Sequence, residues 1–156
     1  MRAIIVGIYF GKGDFEASME ELHLLVQRDG GQVVGAVTGS RKTPDAALFA
    51  GSGKVEEIKL AVHEYRAEIV VFNHSLSPAQ QRNLEAKLEV QVMDRTGLIL
   101  DIFAQRAQSH EGKLQVEMAQ LEYHQSRLAG LWTHLERQRG KSGMGGMGGM
   151  GESQLE

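Results

Sequence analysis

Ala3-Ile4-Ile5-Val6-Gly7-Ile8-Tyr9-Phe10, AIIVGIYF, is a nearly unbroken apolar run rich in β-branched and aromatic side chains. A strand with one face in water alternates apolar and polar residues. This run leaves no position for water and predicts a strand covered on both faces, as in a parallel sheet. Parallel neighbours must be joined by crossovers, so helices should follow. Asp14 is placed to cap one. Phe15, Met19, Leu22 and Val26 then recur at spacings of four, three and four, a single stripe on a helix ending near Asp29-Gly30-Gly31.

The alternation continues. Gln32 to Thr38 (QVVGAVT) reads as a second strand, Val55, Ile58, Val62 and Tyr65 as the next helical stripe, and Ile69 to Phe72 (IVVF) as a third strand. Ser77-Pro78-Ala79-Gln80 is a helix start, with Ser as the cap, Pro at the first helical position and Gln three residues after the cap. A short helix to about Leu88 precedes a fourth strand around Val90 to Met93. The expected fold is α/β: a small parallel four-stranded sheet with flanking helices over residues 1–95, its crossovers right-handed.

From Thr96 the pattern changes. Through Arg139 there is no proline, and only Gly97, Gly112 and Gly130 interrupt it. A single long helix is expected over residues 96–139, roughly 60 Å of it, far beyond a small sheet. Leu98, Ile99, Ile102 and Phe103 can pack near the sheet. Farther on, Leu114, Met118, Leu121, Gln125, Leu128, Trp132 and Leu135 alternate spacings of four and three, a coiled-coil seam with one polar position at Gln125. A seam requires a partner: a helix returning from Glu152 onward, a second copy, or a different protein. Residues 140–156 form a Gly/Met-rich tip, "GKSGMGGMGGMG" through Gly151, and the start of that second helix.

The letters Gly51-Ser52-Gly53-Lys54 ahead of a helix raise the question of a phosphate loop. A nucleotide P-loop needs Gly five positions before its Gly-Lys pair, and a hydroxyl after the Lys to hold magnesium. Here those positions are Leu48 and Val55. Both ends fail. The plain reading is a glycine-rich lead into the Val55–Tyr65 helix, with Ser52 as its cap. A middle reading stays open, in which bare amides of Gly51, Ser52 and Gly53 with Lys54 hold an anion such as a nucleotide or an RNA phosphate, and the alternative function is a domain that binds or hydrolyses ATP or GTP there.

His23, His63, His74, His110, His124 and His134 lack the paired spacing of a metal site on one helix face, and there is no cysteine to complete one. No metal site is expected. Ser75 and Ser77 lie beside His74, but capping explains Ser77 better than nucleophilic chemistry. The net charge of −3 argues against holding nucleic acid by bulk charge, leaving local basic patches. One such patch lies at the tip. Arg137, Arg139 and Lys141 stand at its base. Gly143 and its neighbouring glycines would let the backbone approach RNA closely, and Met144, Met147 and Met150 offer adaptable apolar contacts. The bland alternative for this stretch is a flexible linker. Apolar content of 42% with 24% charged residues is ordinary for a soluble globular chain. No run approaches the ~20 apolar residues of a spanning helix, and the first strand is not followed by a cleavage pattern, so a cytoplasmic protein is expected.

Several stretches together resemble the N-terminal region of the HflX family of ribosome-associated GTPases: GSGKVEEI (Gly51–Ile58), LSPAQQRNLE (Leu76–Glu85), DRTGLILDIFAQRAQSHEGKLQVEMAQLEY (Asp94–Tyr123), RLAGLWTHLERQ (Arg127–Gln138) and GESQLE (Gly151–Glu156). The resemblance implies an α/β domain followed by a helical hairpin. It implies a module that binds the large ribosomal subunit through rRNA, near the tRNA-binding and peptidyl transferase region, and takes part in ribosome dissociation under stress. Purine-nucleotide binding by this region is also proposed within the family. GTP and magnesium would belong to a G domain outside these residues, and no catalytic residue is expected here. The expected rRNA contacts are Arg127, Arg137, Arg139, Lys141, Gly143, Met144, Met147 and Met150. One departure stands out. The family tip reads Gly-Gly-Ile-Gly, a variable residue, then Arg-Gly-Pro-Gly-Glu, whereas Gly140–Glu152 is longer, Met-rich and without the Arg and Pro.

Overall fold

The structure, a computed structural model, describes residues 1–127. Four strands, β1 (Arg2–Tyr9), β2 (Gln32–Ser40), β3 (Ile69–Phe72) and β4 (Gln91–Asp94), pair in parallel in the order β2-β1-β3-β4. Helices α1 (Phe15–Arg28), α2 (Ser52–Tyr65), α3 (Pro78–Leu88) and α4 (Arg95–Arg106) connect and flank them, and α5 (His110–Gln125) follows. The opening run is buried from Ala3 to Ile8, as its composition requires.

The two faces divide the core by the alternation of strand side chains. Ile4, Val6, Ile8, Val70, Phe72 and Val92 meet Val55, Ile58, Val62, Leu84 and Leu88 of α2 and α3. Ala3, Ile5, Ile69, Val71 and Met93 meet Leu22 and Val26 of α1 and Leu98 and Ile102 of α4. Gly7 shows why glycine interrupts β1: a Cβ there would lie 2.3 Å from Sδ of Met19. Helix α1 packs directly on the strand backbone at that point.

Local signals act as expected at most helix starts. Asp14 caps α1 by accepting from the Ala17 amide. Ser77 and Gln80 form a reciprocal capping box at α3. At α2 the expectation fails: the cap residue is Gly51, extended and without a side-chain hydrogen bond, and Ser52 is already the first helical residue. The first turn is closed by the backbone alone, through Val55 N–H to Gly51 C=O.

The second correction concerns the long helix. Helix α4 stops at Arg106, Ala107 is extended, and Ser109 caps a new helix by accepting from the Gly112 amide. Helix α5 turns back along α4, bringing Tyr123 against Gly97 in the first turn of α4. The chain therefore returns to the edge from which α4 started, instead of running out from the sheet. Leu114, Met118 and Leu121 of the expected seam face outward and are exposed. Leu128, Trp132, Leu135 and the tip lie outside the described residues.

Candidate functional site at the carboxyl edge of the sheet

Parallel strands all end at one edge, and open α/β sheets bind ligands outside that edge where the strand order reverses. Here it reverses between β1, which leads to β2, and β3, which leads to β4. The residues just beyond these strands meet in a polar network. The Ile8 amide donates to Nε2 of His74 at 2.9 Å. Burial, with the nearby Arg95 charge, lowers the His74 pKa to about 4, so the imidazole is neutral at physiological pH and acts as an acceptor. Phe10 and Phe49 pack their rings against it. Phe49 adopts φ 66°, a left-handed backbone that a bulky residue takes only under constraint, and edge-to-face contacts with Phe10 and Phe72 supply that constraint.

Asn73 donates to Ser18 Oγ at 2.8 Å and accepts from Arg95 Nη1 at 2.5 Å, while Arg95 Nη2 reaches Glu21 at 2.5 Å. Ser75 and Thr96 share a hydroxyl contact of 2.9 Å. The switch-point crevice is thus filled by its own side chains. Ser75 pairs with another hydroxyl, not with a base, and Ser77 is committed to its cap. Among the described residues no group of three or more His, Asp or Glu side chains is placed to hold a metal ion.

A second cluster centres on Asp94, the last residue of β4 and the cap of α4. Its buried carboxylate accepts from the amides of Gly97 and Leu76, each at 2.9 Å, and from the Tyr123 hydroxyl at 2.5 Å. Arg127 stands 3.9 Å away, donates to the Leu76 carbonyl and to Gln81 Oε1, and lies over the Tyr123 ring at 4.2 Å. Burial, with the Asp94 charge beside it, pushes the Tyr123 pKa up, so the phenol keeps the proton it donates. This cluster ties β4, α3, α4 and the end of α5 together. It was not foreseen, although Asp94 three residues before Gly97 in DRTG is a helix-cap pattern.

The expected site residues divide accordingly. Arg127, expected to contact rRNA, is engaged inside the domain with only 14% of its side chain exposed. Its contacts fasten the end of α5, after which the rest of the expected helical arm (residues 128–139) and the tip follow in sequence. Lys54 donates to the Thr38 carbonyl at 2.9 Å and pairs with Glu57 at 2.6 Å, so its ammonium is occupied away from the α2 amides. Arg41 takes its place near them, with Nη1 2.8 Å from where a Cβ on Gly51 would stand. Arg137, Arg139, Lys141, Gly143, Met144, Met147 and Met150 lie outside the described residues.

A parallel α/β domain with a helical pair secured to its carboxyl edge defines the class. The chain belongs to the GTP-binding GTPase N-terminal family, whose model matches residues 16–104, and residues 106–156 match the GTP-binding GTPase middle region. The two matches meet at the end of α4. More narrowly, the chain corresponds to the N-terminal region of HflX-type GTPases. It is 52% identical over 143 residues to GTPase HflX of Escherichia coli (strain K12), covering 92% of this chain and 34% of the relative. It is 46% identical over 142 residues to GTPase HflX of Alkalihalophilus pseudofirmus, covering 90% and 34%. The chain therefore spans about a third of the length of these curated relatives. A GTP-binding protein from Sulfolobus solfataricus, solved in complex with GDP, shares the fold at a TM-score of 0.62 and 21% identity, over 99% of this chain and 45% of that one.

Proposed function

We propose that this chain is the ribosome-docking part of a cytoplasmic HflX-type GTPase. It engages rRNA of the large subunit near the tRNA-binding region and contributes to ribosome dissociation or rescue under stress. The observation that carries this reading is the similarity to HflX relatives across both the α/β domain and the arm. The Asp94 cluster is consistent with it, because it holds the end of α5, after which the proposed contact residues follow in sequence, firmly on the domain. Binding and hydrolysis of GTP would belong to a G domain outside these residues. Within the chain, Arg137, Arg139, Lys141, Gly143, Met144, Met147 and Met150 are the proposed rRNA contacts, and Arg127 positions the arm instead of touching RNA.

Sedimentation with purified large ribosomal subunits at moderate salt tests this. The intact chain should co-migrate and a variant lacking Lys141–Gly151 should not; failure of the intact chain to co-migrate overturns the proposal. A second reading, purine-nucleotide binding at the α2 N-terminus, is favoured by the uncapped amides beneath Arg41. Calorimetric titration with ATP and GTP separates it from the first. Absence of heat, or heat unchanged by Arg41→Ala, removes it.

A further inference from the structure

The register of β1 and β2 places Tyr9 beside Ser40. Because the strands are parallel, the residues after each emerge side by side: Phe10-Gly11-Lys12 from β1 and Arg41-Lys42 from β2. Between them lies an open groove of about 470 Å³, lined by Tyr9, Phe10, Gly11, Ser40, Arg41 and Lys42. Lys12, Arg41 and Lys42 are exposed, and none of the three is seen paired with an acidic side chain among the described residues, unlike Lys54, Arg95 and Arg127. The neighbouring acids are engaged in local backbone caps: Asp14 accepts from the Ala17 amide, and Asp45 from the amides of Ala47 and Leu48. Gly11 and Gly13 take φ of +88° and +79°, and no heavy atom lies within 4 Å of a Cβ built on either. The turn carrying Lys12 therefore presents bare backbone to the groove mouth.

In a chain of net charge −3, three unpaired cations on two adjoining loops form a local field of opposite sign to the whole. Arg41 uses Nε to hold the Thr43 carbonyl at 3.0 Å, which sets the plane of its guanidinium without involving a carboxylate. A planar guanidinium beside Lys42, with Lys12 on the adjoining turn, suits phosphate oxygens, and the half-exposed Tyr9 ring offers a face on which a base can stack. We propose that this groove is an RNA-binding surface on the α/β domain, separate from the arm, which grips a phosphate backbone through Lys12, Arg41 and Lys42 and stacks a base on Tyr9. The choice of RNA over another polyanion rests in part on the docking reading above; the cation set and the groove do not.

The test is binding of the whole chain to a short fluorescent oligouridylate and to large ribosomal subunits, each as a function of salt, with polyglutamate as a competing polyanion. Arg41→Glu with Lys42→Glu reverses two exposed charges at the groove. Arg28→Glu with Lys87→Glu makes the same change of net charge at exposed helix ends, on the opposite edge of the domain. The groove variant should lose oligouridylate binding and lower the salt slope of subunit binding by about two, one for each phosphate contact removed, while the control leaves both unchanged. Matching unfolding midpoints verify that both variants fold. Equal effects of the two variants, or none from the groove variant, overturn the proposal. Polyglutamate bound through the groove as tightly as RNA overturns the assignment to RNA. If subunits bind through the tip but ignore the groove variant, the groove inference falls and docking stands. If the chain ignores subunits yet binds oligouridylate through the groove, the docking reading falls and the groove stands.

Discussion

Asp101 on α4 faces Asp29, the residue that closes α1, and both are fully buried. Gln105 donates to Asp29, yet one oxygen of each carboxyl group has no hydrogen-bond partner. Burial raises the pKa of both, and with Asp29 opposite it Asp101 is pushed up to about 9. The folded chain thus keeps a proton at Asp101 that an unfolded Asp releases near ~3.9. Between those values the folded state binds more protons, so this pair's contribution to stability falls as pH rises and levels off above about 9. Asp101→Asn should reduce that decline, leaving the part due to Asp29, and stabilise the chain by on the order of 1 kcal/mol in mildly alkaline buffer. Urea unfolding of both proteins between pH about 5 and about 9 checks it. The difference between the two profiles isolates the pair from His74, whose lowered pKa acts with the opposite sign as pH falls below about 6.5. Asp94 supplies a second case. Tyr123→Phe takes one donor from a buried carboxylate and should cost about 1–2 kcal/mol, read as a lower urea midpoint. Capping by Asp14 and Ser77 was legible because each acts within one helical turn. The Asp94–Tyr123 contact spans 29 residues, and no local rule brings those two side chains together.

At the scale of elements, the strands were readable because burial on both faces imposes an unbroken apolar run, and Ile69–Phe72 emerges with its expected limits. The break between α4 and α5 was not. Ala107-Gln108-Ser109-His110 carries one cap residue and no glycine or proline, so local preference alone favours continuing the helix. Tertiary contacts decide otherwise: the hydrogen bonds of Tyr123 and Arg127 at the carboxyl edge outweigh the lost helical turn. The Ser109 cap then matters. Ser109→Ala should weaken the start of α5 by about 1 kcal/mol, seen as faster amide hydrogen exchange in α5 with sheet amides unchanged. Leu121 is 56% exposed on the outer face of the same helix. Leu121→Asp should therefore leave the unfolding free energy within about 0.5 kcal/mol of the parent. If the seam joins two copies, the same substitution lowers the mass measured by ultracentrifugation, which separates pairing from folding.

For the whole molecule, the α/β class and the four-stranded parallel sheet were legible because strand and helix periods alternate along the chain. The groove was not, since Lys12 and Arg41 are separated by nearly thirty residues and meet only through the pairing of Tyr9 with Ser40. The return of α5 has a mechanical consequence. It brings Tyr123 and Arg127, at the end of the described residues, to the same rim as the groove. Neighbouring strands are about 4.8 Å apart, so the β2–β1 groove and Asp94 at the end of β4 are separated by only about 10–15 Å along that rim. On a rigid sheet that short distance fixes the direction in which the last turn of α5 faces relative to the cationic loops, so anything held by the groove is held at a set orientation to the end of α5.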